Sequence, residues 1–117
     1  MEILVINDCS TDNTLEVLET FGDTRIRIIN NSENLGAGLS RRIGTKEAKG
    51  EYTTFLDGDD TIDSDYIETL YNIAKRYNAD VVGSGLRVLD NGKVTQDTYD
   101  EERIMRGIDL YRLIPTS

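Results

Sequence analysis

An acidic turn, Asp57-Gly58-Asp59-Asp60, follows directly on an apolar run and carries the residue types best suited to metal and phosphate chemistry. The run, residues 52–56, is Tyr-Thr-Thr-Phe-Leu, and its aromatic and β-branched composition predicts a strand. Carboxylates this close together repel one another unless a cation or a hydrogen-bond donor lies among them. Hard divalent metals prefer such oxygen ligands, and Mg²⁺ often shares them with phosphate. The turn therefore predicts a site for Mg²⁺ or Mn²⁺ and a phosphate-bearing ligand.

A second polar segment, residues 7–12, follows another apolar run at residues 3–6. That short run predicts a strand buried on both faces, and Ser10, Thr11 and Asp12 are candidate caps for the helix that follows. Asp8 is either a ligand-binding carboxylate or a cap of that same helix. Ligands of α/β sheets bind at the carboxyl ends of the strands, so we expect both polar segments at one edge of the sheet.

The elements that position these segments alternate between strand and helix. The pattern predicts strands at 3–6, 25–29, 51–57 and from 80, helices at about 13–21, 37–49 and 64–78, a hairpin over 86–95 on Asn91-Gly92, and a short helix over 104–114. The β-α-β-α-β order predicts an α/β fold with a mainly parallel sheet and right-handed crossovers. A chain of 117 residues is one domain at most.

Composition excludes several classes of function. The net charge of −9 argues against binding to a nucleic-acid backbone, and the absence of His excludes a His-based zinc site and a Ser-His-Asp triad. Cys9, the single cysteine, excludes an internal disulfide and suits a reducing compartment. No apolar stretch approaches membrane-spanning length, and the first residues lack a signal-peptide pattern. We therefore expect a cytoplasmic protein.

Three ordered motifs resemble those of the family 2 glycosyltransferases of GT-A fold. Residues 3–14 resemble the first signature, a strand ending in Asp-Asp-Gly-Ser-Thr-Asp. Residues 34–52, which begin Asn-Leu-Gly and end Ala-Lys-Gly-Glu-Tyr, resemble the second block, and residues 55–60 resemble the Asp-x-Asp block. The resemblance covers residues 2–90. The chain departs from the family pattern with Asn7 for a frequent Asp, Cys9 for Gly and Arg42 for Asn.

The resemblance implies a three-layer α/β/α, GT-A (Rossmann-like) nucleotide-sugar-binding domain, present in part over residues 1–117, with a hairpin strand and short helix in 91–117. It implies an enzyme that transfers a sugar from a nucleotide-diphospho-sugar, with UDP as the expected nucleotide, to a glycan or lipid-linked acceptor. The resemblance also implies a role for each residue that matches a family motif. Asp8 corresponds to the carboxylate that binds the base, Arg41 to a basic residue at the nucleotide end, and Asp57 to the Asp near the ribose or sugar. Asp59 corresponds to the ligand of Mg²⁺ or Mn²⁺, and bacterial polysaccharide synthesis is the implied setting.

The resemblance begins at the family's second strand and lacks the acceptor-binding half with its catalytic base. We therefore expect no catalytic residue in this chain, no sugar transfer by the chain alone, and self-association through open strand edges as a homo-oligomer.

Two alternatives remain open. The first is a non-catalytic nucleotide- or metal-binding or oligomerisation module. The second is an EF-hand calcium loop, whose ligand positions coincide with Asp57, Asp59, Thr61, Asp63, Asp65 and Glu68. The calcium loop fits poorly because Ile62 stands at the position that requires Gly, and a strand-like segment precedes the turn.

Overall fold

The computed structural model describes residues 1–98, which fall into two units, one of residues 1–62 and one that begins at Asp63. The first unit contains β1 (Ile3–Asn7), α1 (Thr14–Glu19), β2 (Ile26–Asn30) and α2 (Gly36–Glu47). Strands β1 and β2 pair in parallel, with Ile3 opposite Ile26 and Asn7 opposite Asn30. The predicted β-α-β unit with a parallel sheet is therefore confirmed.

The two ends of this parallel pair are held differently. At the carboxyl end, the backbone amide of Asn31 donates to the carbonyl of Asn7 at 2.9 Å, which continues the hydrogen bonding one residue beyond β2. At the other end, Arg27 of β2 donates to the carboxylate of Glu47 at 3.0 Å and to its carbonyl at 2.7 Å. The last turn of α2 is thereby tied to the sheet.

Helix α2 packs closely on β1. A Cβ built at Gly44 would lie 3.6 Å from Cγ1 of Ile6, so the helix backbone approaches the strand at this residue. Ser40, one turn earlier, is buried. Gly44 and Ser40 are four residues apart and thus share one face of the helix, which is the face turned toward the sheet.

Helix α1 begins later than its sequence predicts. Its N-cap is Asn13, whose side chain makes no capping hydrogen bond, so Ser10, Thr11 and Asp12 are not the caps expected of them. Asp12 instead accepts from the backbone amide of Thr14 at 3.0 Å, a local turn that delays the first helical residue.

The strand predicted over 51–57 is absent, and this prediction is wrong. None of these residues joins a β-ladder in the described part of the chain, and the side chains of Phe55 and Leu56 are each 52% exposed. A strand is stable only when its backbone groups pair in a ladder with another strand, and the two ladders within residues 1–98 are β1–β2 and β3–β4. The strand predicted from residue 80 is absent for the same reason.

The second unit contains α3 (Tyr66–Tyr77), β3 (Arg87–Asp90) and β4 (Lys93–Asp97). Asn78 follows the last residue of α3 as its C-cap and adopts the left-handed conformation. Strands β3 and β4 are antiparallel around Asn91 (φ 48°) and Gly92 (φ 76°), which confirms the predicted hairpin. The helix predicted over 104–114 lies outside the described residues.

The described residues bury little apolar surface, since Ala74 is their one buried apolar residue. No helix within residues 1–98 combines the length and the apolarity needed to cross a bilayer.

Candidate functional site

The carboxylate of Asp8 lies immediately after β1 and is held by three hydrogen bonds. Its Oδ1 accepts from the side-chain nitrogen of Asn31 and from the backbone amide of Leu35, both at 2.8 Å. Its Oδ2 accepts from the backbone amide of Gly36, also at 2.8 Å. The hydrogen bond from Asn31, followed by those from the backbone, keeps the pKa of Asp8 below its ordinary value of 3.8. Asp8 is therefore ionised at neutral pH.

Asp8 caps α2 from outside the helix. Leu35 is the N-cap of α2 and has no side chain that could accept a hydrogen bond from the first turn. The carboxylate of Asp8 supplies that acceptor, and its charge is favoured by the positive end of the helix dipole. The alternative that Asp8 caps α1 is wrong, because its hydrogen-bond partners lie in residues 31–40 and none of them is in α1.

The loop that presents Asp8 is shaped by Asn7. The side-chain oxygen of Asn7 accepts from the amide of Ser10 at 3.2 Å, and its nitrogen donates to the side-chain oxygen of Asn30 at 2.9 Å. Between them Cys9 adopts a φ of 59°, a left-handed conformation that glycine takes without steric cost. The departure of Cys9 from the family's Gly therefore falls where the backbone favours glycine.

Arg41 and Asp57 form an ion pair. Nη2 of Arg41 lies 2.6 Å from Oδ1 and 2.9 Å from Oδ2 of Asp57, and both side chains are about half exposed. The turn that contains Asp57 is closed by a hydrogen bond from the amide of Asp60 to the carbonyl of Asp57 at 3.0 Å. The pair joins the acidic turn to α2, which carries Arg41.

Asp59 is exposed, and no group in residues 1–98 pairs with its carboxylate. Within that range no cluster of three metal-ligating side chains forms, so the turn offers one or two carboxylates and not a complete cage. Mg²⁺ commonly takes one or two protein carboxylates and completes its shell with phosphate oxygens and water. The donor set thus fits a metal shared with a phosphate ligand, and it does not fit a calcium loop.

Helix α2 connects the residues predicted from the sequence. Its first amides bind Asp8, and Arg41 on the same helix binds Asp57. Gly36 and Arg41 are about 8 Å apart along the helix axis. Asp8, Arg41 and Asp57 therefore belong to one connected set of contacts, whereas Asp59 is joined to it only by the backbone of the turn.

Two polar residues of this network are additional to those predicted. The side-chain nitrogen of Asn31 donates to Asp8 and lies 3.1 Å from Oγ of Ser40. Asn31 directly follows the carboxyl end of β2, so the rule that selected Asp8 and Asp57 applies to it as well. Ser40 has no comparable signal, because a single serine within a helix is usually unremarkable.

Comparison with known proteins bears on this site. The model of the family described as "Glycosyl transferase family 2" matches residues 1–115. The chain is 39% identical over 84 residues to the glycosyltransferase GlyG of Streptococcus pneumoniae, covering 70% of this chain and 28% of that protein. It is 43% identical over 84 residues to a cholesterol galactosyltransferase of Borreliella burgdorferi, covering 71% and 24% respectively.

A more distant match spans nearly the whole chain. It is to the poly(ribitol-phosphate) beta-N-acetylglucosaminyltransferase TarS of Staphylococcus aureus, with 27% identity over 98% of this chain and 21% of that protein. The chain thus spans about a quarter of the length of these relatives, between 21% and 28%. No solved structure is significantly similar to it.

Proposed function

Because the chain belongs to glycosyl transferase family 2, we propose that it forms the donor-binding part of an enzyme that transfers a sugar from a nucleotide-diphospho-sugar to an acceptor. The family has the GT-A fold, and the parallel β1–β2 unit is a small α/β part of it. The relatives are named as glycosyltransferases and come from bacteria. Bacterial polysaccharide synthesis, with a glycan or lipid-linked acceptor, is the setting that we propose.

The observation that carries this proposal is the ion pair between Arg41 and Asp57. It connects the acidic turn to the helix whose first amides bind Asp8, so three residues assigned to the donor share one support. Preformed sites of this kind avoid the cost of ordering side chains when the ligand binds.

The hydrogen-bonding capacity of Asp8 favours uracil as the base of the donor nucleotide. An ionised carboxylate accepts hydrogen bonds at about four positions and donates none. Asn31, Leu35 and Gly36 donate three such bonds, and Ser40 contributes more weakly. The carboxylate is only partly buried, so it can also accept from a base that presents an N–H, as uracil does. We therefore propose UDP as the nucleotide, with Asp8 at the base and Asp57 nearer the ribose or sugar.

Asp59 is the residue that we propose to hold Mg²⁺ or Mn²⁺. When bound there with the diphosphate, the metal would offset the negative charge of the leaving nucleoside diphosphate. Arg41 offsets the charge of Asp57 beside it, which lowers the repulsion within the turn. No residue of this chain is proposed as the catalytic base, and we propose that the chain alone does not transfer sugar. The exposed free thiol of Cys9 suits a reducing compartment, so we propose the cytoplasm.

Calorimetric titration of UDP with and without Mn²⁺ tests the proposal. We expect binding that requires Mn²⁺ and that is lost in Asp59→Asn. Asp60→Asn is the matched control, since it removes a neighbouring carboxylate of the same turn, and binding should persist. Absence of UDP binding in both conditions would favour the non-catalytic module, and equal binding by Asp59→Asn would exclude Asp59 as the metal ligand.

A further inference from the structure

A single side-chain nitrogen, Nδ2 of Asn31, lies between the carboxylate of Asp8 and the hydroxyl of Ser40. It is 2.8 Å from Oδ1 of Asp8 and 3.1 Å from Oγ of Ser40. An amide nitrogen has two hydrogens, so both contacts can form at once. Asn31 is half-buried and Ser40 is buried, so water competes poorly for these bonds.

Ser40 and Arg41 are consecutive residues of α2 and point about 100° apart around the helix axis. Whatever fixes Ser40 against the sheet therefore also fixes the direction in which Arg41 leaves the helix. Close packing of Gly44 on Ile6 sets the distance between helix and strand, but an apolar contact is not directional. The hydrogen bond between Asn31 and Ser40 is directional. It constrains rotation in the middle of α2, between the bonds of Asp8 at the first turn and those of Arg27 at the last.

We propose that Asn31 is a positioning residue of the donor site, which orients the Asp8 carboxylate and sets the rotation of α2 and thus the direction of Arg41. This inference rests on the proposed function for the importance of Asp8 and Arg41, but the contacts themselves are independent of any ligand. Asn31 touches neither the donor nor the metal in this scheme. It acts through Asp8 and Ser40.

Replacing Asn31 by Asp keeps the size of the side chain and removes its hydrogens. Two carboxylates then face each other, and such pairs share one proton at a raised pKa. In the wild type, Asp8 is surrounded by neutral donors from the end of β2 and the start of α2, and no charged side chain of residues 1–98 pairs with it. The charge that Arg41 carries is directed at Asp57. The new carboxylate would therefore be the dominant charge acting on Asp8.

The first readout needs no nucleotide. The pKa of Asp8 is measured by following its side-chain carboxyl carbon by NMR in the wild type, Asn31→Ala and Ser32→Ala. We expect a higher pKa in Asn31→Ala, accompanied by shifts of the backbone signals of α2 around residues 40 and 41. Ser32→Ala is the matched control, since it alters an exposed residue of the same loop, and it should change neither. An unchanged Asp8 pKa with unchanged α2 signals in Asn31→Ala would overturn the proposal.

The second readout is the dissociation constant of UDP with Mn²⁺ between pH 5 and 7.5. We expect Asn31→Ala to weaken binding by about tenfold at every pH, the loss of one hydrogen bond to a charged group. Asn31→Asp should bind UDP still more weakly at pH 7.5. At pH 5 a proton shared between the two carboxylates restores a hydrogen-bond donor, so the dissociation constants of Asn31→Asp and the wild type should become nearly equal. A ratio that stays constant with pH would contradict the positioning role.

The two readouts separate this inference from the proposed function. If the wild type binds no UDP, the proposed function fails, while the pKa of Asp8 still decides whether Asn31 orients it. If Asn31→Ala unfolds, the isosteric Asn31→Asp at pH 5 provides the folded variant for the same measurements. If Asp8 has the same pKa in a folded Asn31→Asp variant as in the wild type, the inference would also be overturned.

Discussion

Cys9 occupies a backbone conformation that costs most residues energy. Its φ of 59° lies in the left-handed region, where a Cβ crowds the following carbonyl. We expect Cys9→Gly to raise the free energy of unfolding by about 1 kcal/mol, measured by urea denaturation. Asn78→Gly is the control: Asn78 has a φ of 48°, but Asn tolerates this region, so its gain should be smaller. A loss of stability in Cys9→Gly would show that the thiol makes a compensating contact.

Asn7 is buried and uses both ends of its amide. In Asn7→Asp, one oxygen still accepts from Ser10, and Asn30 can turn its own amide to donate to the other, so we expect little change in stability. Asn7→Leu leaves the groups opposite it without partners and should cost about 2 kcal/mol. Thermal unfolding of the two variants measures the difference. Equal destabilisation by both would contradict this account and would indicate that the orientation of Asn30 is fixed.

At the residue scale, the sequence indicates which residues are candidates for the site, but it does not indicate which groups they contact. Asp8, Asp57 and Asp59 follow apolar runs, and that pattern selected them. The partners of Asp8 are largely backbone amides of Leu35 and Gly36, which every sequence provides and which no residue type reveals. The pairing of Arg41 with Asp57 was likewise inaccessible, because the sequence does not give the rotation of α2.

Helix α2 contains two glycines in different surroundings. A Cβ at Gly38 would meet nothing within 4 Å, and one at Gly44 would make ordinary contact with Ile6. We expect each Gly→Ala substitution to stabilise the protein by about 1 kcal/mol, because alanine favours the helix. Gly44→Leu should instead destabilise it by about 2 kcal/mol, since the larger side chain has no space against β1. Circular dichroism melts distinguish these outcomes, and a stabilising Gly44→Leu would contradict the close packing of α2 on β1.

The Asp8 carboxylate at the start of α2 should make the free energy of unfolding depend on pH in acid. Hydrogen bonds hold the pKa of Asp8 below 3.8, so the unfolded chain takes up this proton first as pH falls. The stabilising contribution is complete above the unfolded pKa and is lost as pH falls through the folded one. We expect Asp8→Asn to show a flatter decline in stability below pH of about 4 than the wild type, measured by urea denaturation at several pH values.

Asp23 provides a comparison for this acid dependence. Hydrogen bonds from Arg25 lower the pKa of Asp23 to about 2, so its contribution is lost at lower pH. Asp23→Asn should therefore flatten the profile between about pH 4 and pH 2 and leave the decline due to Asp8 in place. A profile that Asp8→Asn does not alter would contradict the role of Asp8 as the cap of α2.

At the element scale, the sequence predicts those elements that are stabilised by near neighbours. The parallel β1–β2 pair with its helix and the Asn-Gly hairpin form as expected. The apolar run at 52–56 has strand composition, but composition cannot supply a pairing partner. Its exposed side chains show that strand propensity alone does not order a strand.

Several large apolar side chains within residues 1–98 are exposed. Phe55, Leu56, Val81 and Leu86 are each more than half exposed, and β1 and β2 form a sheet of two strands. We expect hydrogen exchange to show protection in β1, β2 and α2 and rapid exchange over 52–57. Protection over 52–57 that appears as protein concentration rises would support the proposed homo-oligomer. Protection there at every concentration would contradict the absence of a β-ladder in this segment.

The Arg41–Asp57 pair gives the two parts of the proposed donor site different responses to ionic strength. Asp8 is held by neutral donors, but the acidic turn is attached to α2 through two exposed, opposite charges. Dissolved ions weaken such an attraction, since the screening length falls from about 10 Å at 0.1 M to about 3 Å at 1 M. Concentrated salt should therefore loosen the contact between the acidic turn and α2, while the hydrogen bonds of Asp8 stay in place.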